Sequence, residues 1–113
     1  MGKEINEYVF IVKGKGVRGG SFRRFLENIY EVSISHSYNY PEKYKNTSIE
    51  VYSCKIAHRT HLYAIVIKNP YEEIINDIRA ELTSESYFRK TPATIIIAEG
   101  NIHLNSELWK PLE

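Results

Sequence analysis

Two helical patterns set among several β-rich runs predict an α+β fold, a ferredoxin-like two-layer sandwich with a mostly antiparallel sheet and both helices on one face. Three observations carry this. The apolar run over 8–12 is followed, at helical spacing, by Phe22, Phe25, Leu26, Ile29 and Tyr30. Two β-rich runs, 49–56 and 62–67, flank a polar segment and read as a hairpin. A second helical stripe at Tyr71, Ile74, Ile75, Ile78 and Leu82 leads to a last buried run over 94–98. Strand, helix, strands, helix, strand in that order interlocks two right-handed crossover units.

Taken in order, Tyr8 to Val12 have the length and composition of a buried strand, and the glycines after them form a strand-to-helix loop with Ser21 as N-cap. Residues 32–38 alternate apolar and polar, the pattern of a strand with one wet face. Residues 39–48 lose all periodicity and read as a loop. The run 62–67 is apolar at both parities, which places it centrally in the sheet with both faces covered. Asn69, Pro70 and Glu72 supply an N-cap, a proline at the first helical position and a capping-box carboxylate for the second helix. Gly100 and Asn101 turn the chain, and residues 102–104 are expected to pair back. Counting 32–38 as a strand puts three strands between the helices, one more than the simple fold has.

The 113 residues suit a single domain, 1–113, with one core. Fifteen Lys and Arg against fourteen Asp and Glu leave no global field, so electrostatic function must come from local clusters. The lone cysteine, Cys54, excludes an internal disulfide, and neither a signal peptide nor a long apolar run is present. A cytoplasmic protein with no membrane association is expected.

The strongest local cluster is residues 12–24, with four glycines, five basic residues and no carboxylate. Glycine lets a ligand approach the backbone, and a helix N-terminus offers amide N–H groups and partial positive charge. Lys15, Gly16, Val17, Arg18, Gly19, Gly20, Ser21, Phe22 and Arg23 are therefore the candidate anion site, and phosphate is the simplest anion that fits.

The order Gly14, Val17, Arg18, Gly19, Gly20, Ser21, Phe22, Arg23 resembles the phosphate loop of acylphosphatases, over about a tenth of the chain. Gly16 is an extra residue, and Arg18 stands where that family has glutamine. The resemblance implies that the loop amides and Arg23 would hold an acyl phosphate without metal or cofactor, with Asn39 as the nearest candidate to orient water. The glycine-aromatic motif that leads into the family's asparagine is absent here.

A second cluster interleaves Tyr40 and Tyr44 with Lys43 and Lys45, a combination that with Arg24 could stack on and neutralise a single strand of nucleic acid; anchoring of the loop by its tyrosines is the plainer reading. His58 and His61 have the His-x-x-His spacing of some metal ligands, but residues three apart in a strand point to opposite faces, and Cys54, His36 and His103 add no recognised zinc spacing, so the pair reads as turn residues; Cys54 has no activating motif. Three function classes stay open: a non-enzymatic binder of a nucleotide or nucleic-acid phosphate, which is favoured; an acyl phosphate hydrolase; and an interaction or inhibitor module acting through a sheet face. Because three strands are apolar at both parities, the face away from the helices needs a cover: a second copy in a homodimer, a protein partner, or, within the chain, the extra strand or the segment around Leu108 and Trp109.

Overall fold

The computed structural model describes residues 7–14, 19–58, 60–83 and 94–112, without the side chains of 14 and 19–25. The described elements follow as β1 (Glu7–Gly14), α1 (Gly19–Asn39), α2 (Pro41–Tyr44), β2 (Ser48–Ala57), β3 (Thr60–Lys68), α3 (Glu72–Thr83), β4 (Thr94–Gly100) and β5 (Lys110–Pro111). The strands form one antiparallel sheet in the order β4-β1-β3-β2-β5. The fold is therefore α+β, and β3 is its middle strand. That position explains its composition: Ala64, Ile65, Val66 and Ile67 are all buried, because both faces are covered.

Strand periodicity divides the core in two. Phe10 and Val12 of β1, Val51 of β2, and Ile65 and Ile67 of β3 face the helices, meeting Leu26 and Ile29 of α1 and Ile74, Ile78 and Leu82 of α3. The alternate residues Val9, Ala64 and Val66 face the other way. At the join of α3 and β4, the buried Thr94 hydroxyl donates to the Leu82 carbonyl at 2.8 Å, so one polar group entering the core is satisfied.

Four sequence expectations are corrected. Residues 32–38 are not a strand; α1 runs through them to Asn39. The alternation there was coincident with a helical register, since Leu26, Ile29, Val32 and His36 continue one inward stripe. Ile34 and Tyr38, which the strand reading paired with Val32 on one face, are 66% and 85% exposed. The extra strand disappears, and two strands lie between the long helices. Ser21 is not an N-cap, because the helix begins at Gly19.

Asn69 is not the N-cap of α3 either. It adopts the left-handed conformation at φ 51°, which asparagine tolerates better than most residues. Its side-chain amide donates to the Asn46 carbonyl at 2.8 Å while its own carbonyl accepts from Thr47, so it clasps the loop ahead of β2. The helix starts after Tyr71, whose carbonyl receives the amides of Ile74 and Ile75.

Finally, residues 102–104 do not pair back as a strand. After Gly100, at φ +139°, the chain crosses the second face of the sheet and seats Ile102, Leu104 and Trp109 against Val9, Ala64 and Val66. It ends as β5, paired to Tyr52 and Ser53 at the edge of β2, with the Leu112 amide bonded to the Val51 carbonyl. The second face thus has a cover within the chain, and the apolar strands do not of themselves require a second copy.

Candidate functional site

β1 delivers the chain to one end of the sheet at Gly14, and α1 begins at Gly19. The described part of the glycine-rich segment is thus the end of a strand, Gly14, and the start of a helix, Gly19 onward. Lys15, Gly16, Val17 and Arg18 lie outside the described residues. Gly19, Gly20, Ser21, Phe22, Arg23 and Arg24 form the opening turns of α1. The first four amides of an α-helix have no acceptor within it, so those of Gly19 to Phe22 are donors in need of partners.

The sheet register brings further basic groups to the same end. Lys13 stands opposite Leu62, Leu62 opposite Cys54, and Lys55 opposite His61, one rung before the turn that holds His58. Lys13, Lys55 and His58 are exposed. The stretches 53–57 and 60–63 that build this end of the hairpin contain no carboxylate. His58 and His61 do not converge on a metal: His61 stacks on Tyr63 at 6.2 Å, and no group of three ligating side chains occurs among the described residues.

The other predicted residues are carried to the opposite end. α1 is 21 residues long, about 30 Å at the usual helical rise. Asn39 closes it, its side-chain amide reaching back to the Ser35 hydroxyl at 3.5 Å. About 24 Å of helix axis separates Arg23 from Asn39, so one phosphoryl group cannot touch both. The expectation that Asn39 orients water beside the loop is corrected on that ground.

The cluster Tyr40, Lys43, Tyr44 and Lys45 sits with Asn39, remote from Arg24. Tyr44 is 1% exposed and belongs to the helix-side core, with its ring edge against His36 and Tyr71 at 5.0 Å each. It presents no face to a base. Lys43 pairs with Glu73 and lies over the Tyr44 and Tyr71 rings, so its charge is already engaged. Burial and then the neighbouring Glu73 carboxylate push the Tyr44 phenol well above its ordinary pKa, while Lys43 and then Tyr44 hold Glu73 below the usual carboxylate range. The group is a structural clasp between α2 and α3; Tyr40, Lys43 and Lys45 are exposed, and of these Lys43 is held by Glu73.

Two polar constellations were not legible in the sequence. Glu99 of β4 accepts from Tyr8 at 2.6 Å and from two nitrogens of Arg79 at 2.9 and 2.6 Å, tying α3 to the sheet. His36 of α1 meets Asp77 of α3 at 2.6 Å beside an open groove lined by Ser35, Ala80 and Glu81. Nε2 is engaged by Asp77 and Nδ1 is buried with no hydrogen-bond partner, so neither imidazole nitrogen is bonded to the Ser35 hydroxyl, which instead accepts from Asn39. Neither constellation has a sequence signature, because each joins residues at least twenty positions apart.

Compared with family models, curated proteins and solved structures, the chain matches none of them. No helix among the described residues is long and apolar enough to cross a membrane.

Proposed function

We propose that this chain is a ferredoxin-like module of the cytosol that holds a phosphate group of a nucleotide or nucleic acid at the N-terminal end of α1, without turning it over. The ferredoxin-like assignment is supported by the order β4-β1-β3-β2 with α1 and α3 packed on one face. One observation carries the binding reading: the amides of Gly19 to Phe22, for which the helix itself offers no acceptor, lie at the end of the sheet to which Lys13, Lys55 and His58 are also delivered. The family resemblance of the loop points the same way, whereas the position of Asn39 removes support for hydrolysis.

The test is a phosphate titration followed by amide NMR. Saturable shifts confined to 14–23 and lost in Arg23→Ala support the reading. A wild-type chain with no saturable shifts there defeats it.

A protein-interaction module is favoured by a different observation. Ile95 and Ile97 of β4 are 46% and 53% exposed, and no described strand pairs with the outer edge of β4. Homodimer formation would belong to that edge rather than to the covered face.

A further inference from the structure

Between the sheet and the segment that crosses its second face lies a cavity of 260 Å³. Its floor is Val9 and Val66, cross-strand neighbours that are themselves buried. Tyr52 and Trp109 supply aromatic walls, and Ile102 and Leu104 close it from the crossing segment. The cavity therefore exists only because residues beyond Gly100 fold back over the strands.

Its mouth is charged, and the sheet register says why. Glu7 stands opposite Lys68, and Glu50 stands opposite Val66, all on the face away from the helices. Lys68 lies 3.2 Å from Glu50, and the Tyr52 hydroxyl donates to the same carboxylate at 2.9 Å. The Tyr52 bond, reinforced by Lys68, holds Glu50 below the usual carboxylate range, so it is ionised at neutral pH. Glu7, Lys68 and His103 line the rim, Lys68 being already paired with Glu50, and the Lys110 ammonium donates to the carbonyl of the lining Ser106 at 3.3 Å. The Lys68–Glu50 pair leaves Glu7 as the lining carboxylate outside an ion pair, next to two electron-rich ring systems.

We infer that this cavity is a binding site for a small organic ammonium, its alkyl body on Val9 and Val66 and its cationic head between Tyr52, Trp109 and the Glu7 carboxylate. Ring faces attract a cation that is too weakly hydrated to prefer water, and quaternary ammonium groups are the usual occupants of such aromatic sites. An anion would meet the Glu7 carboxylate, with the Lys68 ammonium already engaged by Glu50. A bare metal ion would find no set of three ligating side chains among the described residues. The site is independent of the phosphate-binding proposal, which concerns residues on the other side of the sheet and at its opposite end.

Trp109 is the only tryptophan, so its fluorescence reports on this cavity alone. The full chain would be titrated with choline and, in parallel, with 3,3-dimethylbutan-1-ol, the neutral compound of the same shape. Saturable change with choline, at least about tenfold weaker with the alcohol, is expected. Tyr52→Leu should weaken choline binding by about five- to tenfold. Glu7→Gln, a change at the mouth that leaves the core intact, should weaken it several-fold and serves if Tyr52→Leu fails to fold. Equal response to both compounds would show a merely apolar pocket and overturn the ammonium assignment. So would the absence of any saturable change, or Glu7→Gln binding choline as the parent chain does.

Discussion

His36 and Asp77 join the two long helices: the imidazole Nε2 of one stands 2.6 Å from the carboxylate Oδ2 of the other, and the ring edge rests on Tyr44 at 5.0 Å. The contact carries both polarity and packing, so its two members should not be equivalent. Asp77 is largely exposed, and Asp77→Ala should cost about 0.5–1.5 kcal/mol, the net worth of one hydrogen bond. His36→Ala also removes a ring from the core and should cost about 1–3 kcal/mol. Urea denaturation of both single variants and the double variant measures the coupling. A double variant equal to the sum of the singles would mean that the two residues do not interact.

The length of α1 has a direct consequence for mutation. Ile29 is fully buried, whereas Ile34 is mostly exposed. Ile29→Ala should cost about 2–5 kcal/mol through lost burial and a cavity, while Ile34→Lys should stay within about 0.5 kcal/mol. Were residues 32–38 a strand, Ile34 would stand on the same face as Val32 and its replacement by lysine would be the damaging one. Thermal melts of the two variants separate the alternatives.

That contrast also shows what the residues reveal by themselves. The three inner strands and α3 are legible because their apolar spacing is unambiguous: β3 is apolar at both parities, and Ile74, Ile78 and Leu82 repeat at helical intervals. Residues 32–38 satisfy periods of two and of 3.6 at once, and only packing against Tyr44 and α3 selects the helix. Asn69 offers a good capping side chain, but its bond to Asn46 spans 23 residues, which no local pattern encodes. Of the candidate site, the loop-to-helix connection was readable from glycine and charge. The separation of Arg23 from Asn39, and the burial of Tyr44, were not, because both follow from the true length of α1.

The cluster of Tyr8, Arg79 and Glu99 should shape the pH dependence of stability. Arg79 first, and then Tyr8, hold the Glu99 carboxyl below its usual range. A carboxyl so depressed adds stability that is present above its unfolded value, near about 4.3, and is lost as the pH falls through the lower folded value. Tyr8 has the opposite sign. Its pKa is raised, chiefly by the bond to Glu99, so its contribution is present below about 10 and is lost as the pH rises through the raised value. Glu99→Gln should therefore flatten both the acid limb and the far alkaline limb. Urea midpoints collected from pH 3 to 11 check this, and an unchanged acid limb would remove Glu99 from the account.

Because α1 separates the two basic clusters by its full length, phosphate binding should be blind to one of them. Lys45→Ala should leave the amide shifts of Gly19 to Phe22 unchanged, whereas Arg23→Ala should abolish them. A single-stranded oligonucleotide bound through the α1 end alone should lose affinity with rising salt, with a slope set by the few phosphates neutralised there. If Lys45→Ala reduced that slope as much as Arg23→Ala does, the ligand would have to span both ends of the helix.

The segment over the second face can be tested against the outer edge of β4 as the source of self-association. Ile102, Leu104 and Trp109 cover Val9, Ala64 and Val66, and the short β5 fastens the end of the segment to β2. Deleting 105–113 removes Trp109 and β5, leaving an apolar face larger than a soluble monomer usually tolerates. The truncated chain should associate, measured by light scattering across the micromolar range. In the full chain Val9, Ala64 and Val66 are covered, and the large apolar residues that remain exposed on the described strands are Ile95 and Ile97 of β4 and Ile56 of β2. A charge at the edge strand, Ile97→Lys, should then convert any dimer of the full chain to monomer without disturbing the fold, because edge lysines oppose strand pairing. The same change should not rescue the truncated chain, whose association runs through the opened face. A full-length dimer that survives Ile97→Lys would place self-association elsewhere. A truncated chain that stays monomeric would mean that Ile102 and Leu104 suffice to cover the sheet.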